Sequence, residues 1–89
     1  MIFCFDIDNT ICENKSGDMT YADVRPFPEA MATLSWLRNE GHTIILHTAR
    51  HMKTCNGNQG KVFARQGKIL LDWLDHWQIP YDEIWWSKP

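Results

Sequence analysis

Apolar and polar positions along the chain alternate in blocks that predict five elements. Ile2 to Phe5 is a short β-favouring apolar run ending in Asp6 and Asp8, and such a run reads as a strand buried on both faces, as in a parallel sheet covered by helices. Pro28 then suits a helix first turn, and Glu29 follows where the macrodipole favours an acid. Ala30, Met31, Leu34 and Leu37 mark a stripe at helical spacing with Trp36 flanking it, and Gly41 supplies the stop. Thr43 to Thr48 is a second buried strand. From about Lys61 to Gln78 a second helix packs Ile69, Leu70, Trp73, Leu74 and Trp77 on the sheet. Gly67 allows a start nearer that residue, and Pro80 ends the helix. Ile84 to Ser87 is a third short strand. A strand–helix–strand series of this length implies right-handed parallel crossovers, which place Thr48 at the same sheet edge as Asp6.

Eighty-nine residues make one small domain, 1–89, with a core but little to spare. A hydrophobic content of 44% and five tryptophans argue for a folded globule. Net charge of −2 gives no electrostatic case for nucleic acid. No apolar run approaches the roughly 20 residues that span a bilayer, and no basic n-region precedes the first strand. The three cysteines, Cys4, Cys12 and Cys55, are odd in number and lack metal-site spacing. A cytoplasmic protein with free thiols is the expectation, with Cys4 inside the buried strand.

In open α/β sheets the ligand crevice lies outside the carboxyl ends of the strands, where Asp6 and Asp8 emerge. A carboxylate there can attack phosphorus and form an aspartyl-phosphate. A second carboxyl nearby can serve as general acid and base. Oxygen ligands gathered at one strand end suit Mg2+. The plain alternative is that Asp8-Asn9 is turn chemistry closing a strand. Arg50 could clamp a phosphate or be a surface arginine. His47 falls within the second strand and packs there, His51 is a loop residue, and neither is read as a metal ligand. The 52–60 loop has two glycines but not the pattern of a P-loop.

Phe5-Asp6-Ile7-Asp8-Asn9-Thr10 resembles the first motif of the haloacid dehalogenase-like (HAD) phosphohydrolases, a hydrophobic strand followed by Asp-x-Asp-x-Thr. Thr48 at a strand end resembles the second motif, and Lys88-Pro89 the third. Glu13-Asn14, Gly41-His42-Thr43-Ile44, Thr48-Ala49-Arg50 and Pro80-Tyr81-Asp82-Glu83-Ile84 are similar to the short capless HAD proteins known as capsular polysaccharide biosynthesis phosphatases. The resemblance implies a Rossmann-like three-layer HAD fold, here a minimal three-stranded parallel sheet with two main helices. It implies a flap at about 12–27 in place of a cap domain, with Tyr21 and Arg25 as substrate contacts or as solvated loop residues. The implied activity is Mg2+-dependent hydrolysis of a small phosphorylated metabolite, such as a sugar phosphate. Asp6 would be nucleophile and metal ligand, and Asp8 acid/base and, through its carbonyl, a second ligand. Thr48 and Lys88 would hold the phosphoryl oxygens, with Asn9, Thr10, Ala49 and Arg50 around the phosphate.

In the family a further strand after Lys-Pro carries the acidic fourth motif, and the sequence stops at Pro89. Two expectations follow. Mg2+ would rely on Asp6, the Asp8 carbonyl, water and the substrate phosphate, giving weak turnover. The first strand would be an apolar sheet edge that pairs with a second copy in a two-fold dimer. The alternatives are a degenerate domain that binds phosphate or protein without turnover, or half of a split enzyme.

Overall fold

A computed structural model describes residues 1–49 and 59–86. The elements run β1 (Ile2–Asp6), α1 (Pro28–Asn39), β2 (Thr43–His47), α2 (Gln59–His76) and β3 (Glu83–Trp85). The three strands form one parallel sheet in the order β1-β2-β3, a minimal Rossmann-like α/β fold.

Each boundary has a local cause. Pro28 opens α1 with no side-chain cap needed for its missing N–H. At the other end Gly41 takes φ of +81°. His42 N–H then donates to the Leu37 carbonyl at 3.1 Å and Gly41 N–H to Arg38 at 3.0 Å, a Schellman closure. Helix α2 ends the same way, with Ile79 N–H on the Leu74 carbonyl at 3.0 Å, but Gln78 rather than glycine supplies the left-handed residue at φ +54°. Gly67 lies buried within α2 and does not delay its start. Asp82 extends the short β3: its N–H donates to the Ile44 carbonyl, and its carboxylate accepts the Ile44 N–H at 2.7 Å.

The core draws on one side of the sheet. Ile7, Ile44, Leu46, Thr48 and Trp86 are buried against Leu34 and Leu37 of α1 and Leu70, Trp73 and Leu74 of α2. Right-handed crossovers in a sheet of order β1-β2-β3 put both helices on that same side. The alternate positions form an open face, with Ile2 at 66% and Trp85 at 50% exposure and Cys4 exposed. Two corrections follow. Strand β1 is not buried on both faces, and Cys4 is not a core thiol. Strand β2 alternates half-buried and buried positions, as its central place with helices on one side requires. Trp36, flanking the α1 stripe, is exposed.

Candidate active site

The carboxyl ends of β1 and β2 are locked in register. Asp6 pairs with His47, Ile7 N–H donates to the His47 carbonyl at 3.0 Å, and Thr48 N–H donates to the Trp85 carbonyl at 2.9 Å. Beyond Asp6 the chain turns sharply. The Ile7 carbonyl accepts the N–H groups of Ile11 and Cys12 at 3.0 and 3.2 Å, and Asn9 adopts φ of +62°. Asparagine tolerates that left-handed conformation better than most L-residues. The turn directs Asp8 back toward β2, where Thr48 Oγ1 donates to Asp8 Oδ2 at 3.4 Å. Thr48 is fully buried and Asp8 half-buried.

Asp8 and Thr48 thus meet at the carboxyl ends of β1 and β2, and Asp6, the last residue of β1, stands at the same end of the sheet on its open side. Asn9, Thr10 and Ala49 lie beside them, all three exposed. Asn9 acts through its backbone, its N–H closing the turn on the Cys12 carbonyl at 2.8 Å. Thr10 faces a largely apolar cleft of about 480 Å3 shared with Phe5, Phe27, Ala30 and Leu34. Arg50 and Lys88 lie outside the described residues.

The loop at about 12–27 is pinned at its neck. Cys12 bridges Pro26, Glu13 N–H donates to the Arg25 carbonyl, and the Glu13 carboxylate accepts the Arg25 N–H at 2.8 Å. Arg25 is therefore held through its backbone, while its side chain is exposed. Val24 is buried at the flap base, and its carbonyl accepts the Trp73 indole N–H at 2.9 Å. Tyr21 carries the Lys15 ammonium over its ring at 5.6 Å. The sequence alone missed His47 as a neighbour of the site: its Nδ1 is 3.9 Å from Asp6 Oδ1. The signal was available in the equal placing of Asp6 and His47 at their strand ends, but only the register makes it readable.

The donors at this edge are oxygens, the chemistry a hard cation prefers. Among the described residues no group of three or more His, Cys, Asp or Glu side chains gathers as a self-sufficient metal site.

The chain is 35% identical to a structural-genomics target from Vibrio cholerae whose crystal structure matches with a TM-score of 0.88. The match covers 99% of this chain and 70% of that one. The chain belongs to one family with that protein. A match of that coverage takes in all five elements. No protein-family model matches the sequence, and neither does any curated protein. No helix among the described residues is long and apolar enough to cross a membrane.

Proposed function

We propose that the protein is a HAD-type phosphohydrolase that cleaves a small phosphorylated metabolite through an aspartyl-phosphate on Asp6. The observation that best supports this reading is the hydrogen bond of Thr48 Oγ1 to Asp8 at 3.4 Å, at the strand ends where Asp6 closes β1. An Asp6 carboxylate oxygen attacks phosphorus while the ester P–O bond breaks, and the Asp8 carboxyl gives its proton to the departing oxygen. Asp8 then takes a proton from the water that attacks the acyl phosphate, releasing inorganic phosphate and restoring Asp6. Thr48 donates to a phosphoryl oxygen, and Lys88 and Arg50 offset its charge. Mg2+ would be held by the Asp6 carboxylate and the Asp8 carbonyl, where it supplies charge neutralisation for the phosphoryl group. The reading places the protein in the cytoplasm with reduced thiols.

The test is Mg2+-dependent hydrolysis of an aryl phosphate by the wild-type chain and Asp6→Asn. Turnover that needs Mg2+ and vanishes in the variant supports the reading. Equal rates in the two proteins contradict it.

A homodimer through β1 belongs to the same reading, supported by the edge position of β1 and the exposure of Ile2. Sedimentation at tens of micromolar decides it, with a clean monomer as the contrary result.

A further inference from the structure

His47 ends β2 opposite Asp6, and both side chains stand on the open side of the sheet. The His47 side chain is 14% exposed, and its Nδ1 is buried with no hydrogen-bond partner among the described residues. Around it lies a small apolar hollow of about 80 Å3 lined by Cys4, Ile45 and Trp85. A buried polar nitrogen left in that state is costly, so a nearby acceptor is strongly favoured. Neither Ile45 nor the Trp85 ring offers one, and the Trp85 indole N–H is already donated to Glu83 at 3.1 Å. A cysteine sulfur accepts only weakly. Among the described residues, the carboxylate of Asp6, 3.9 Å away, is the strong acceptor within reach. It stands about 1 Å beyond ordinary N–H···O distance, and such contacts commonly tighten when substrate binds.

We infer that His47 is a positioning residue for Asp6: its Nδ1–H donates to Asp6 Oδ1 and fixes the carboxylate's rotamer, leaving the second oxygen as nucleophile. A carboxylate on a strand end has two χ angles to order, and a fixed donor removes that freedom before attack. Elsewhere imidazole tautomers are set in the same way by a partner on one ring nitrogen. The inference rests on the reading of Asp6 as the attacking group.

Two measurements test it. Long-range proton–nitrogen NMR of the ring in the metal-free chain reports the tautomer without any need for activity. Nδ1–H dominating in the wild type and receding in Asp6→Ala supports the role. Nε2–H in the wild type, or the same mixture in both proteins, overturns it. In the aryl phosphate assay, His47→Asn puts an amide N–H near the Nδ1 position and should keep kcat within about threefold, whereas His47→Leu should lose about tenfold or more with KM within about twofold. Equal losses in both variants, or a loss confined to KM, overturn the role. If His47→Leu fails to fold, His47→Gln replaces it, since its amide nitrogen falls near Nε2 instead. A wild-type chain without phosphatase activity would refute the proposed function, while the NMR result would still decide where the His47 proton lies.

Discussion

Thr48 and Asp8, forty positions apart, meet through a 3.4 Å hydrogen bond from Thr48 Oγ1 to Asp8 Oδ2. The bond depends on three local facts: the parallel pairing of β1 with β2, the complete burial of Thr48, and the left-handed turn at Asn9. Removing the hydroxyl should therefore cost activity more than stability. Thr48→Val is expected to lower kcat/KM for an aryl phosphate by about a hundredfold, the usual loss for one preorganised donor. Thr48→Ser should recover most of it.

Gln78 closes α2 in a conformation that favours glycine, φ +54°. A side chain there carries strain of about 1 kcal/mol. Gln78→Gly should raise the stability measured by urea unfolding by roughly 0.5–1 kcal/mol. A loss of that size would mean that the Gln78 side chain makes contacts outweighing its backbone strain.

Trp73 ties the flap to α2 through its indole N–H on the Val24 carbonyl at 2.9 Å. Trp73→Phe keeps most of the packing but leaves that buried carbonyl without its donor, a loss of about 1–3 kcal/mol. Hydrogen exchange should show faster opening of the flap base around Val24, ahead of the sheet amides. Uniform acceleration across the chain would argue against a local tether.

Asp82 is held below the usual carboxylate value, first by the Ile44 N–H and then by the Arg38 side chain at 2.9 Å. A depressed carboxyl contributes stability above its ordinary value of about 3.8 and loses it as pH falls through the lower folded-state value. Denaturant midpoints measured from neutral pH down through that window should fall less steeply in Asp82→Asn than in the wild type. The variant should also be the less stable of the two at neutral pH. Parallel curves would remove Asp82 from the acid response.

Much of this was legible from residue types. Pro28 and Gly41 bracket α1 because one fits a helix start and the other a left-handed stop, and both effects are local. Asp6, Asp8 and Thr48 could be placed at one edge because parallel crossovers are almost always right-handed. The open sheet face could not be read in the same way. A five-residue apolar strand looks alike whether one face is covered or two, and the answer depends on strand order, a tertiary fact. Helix α2 runs from Gln59 through Gly67, because one interior glycine costs only about 1 kcal/mol and the helix buries Leu70, Trp73 and Leu74. Asp82 read as part of a connector, yet its carboxylate extends the β2–β3 ladder. His47 read as packing only, since nothing in its own neighbourhood of sequence reveals that register sets it beside Asp6.

The most direct measurement of the central claim is chemical trapping of the intermediate. The chain would be quenched during turnover of an aryl phosphate with Mg2+, treated with hydroxylamine, and its peptides mapped by mass spectrometry. The account predicts a hydroxamate on Asp6 that requires both substrate and Mg2+. A hydroxamate on Asp8 or another carboxylate, or steady turnover with no trapped carboxylate, would contradict it.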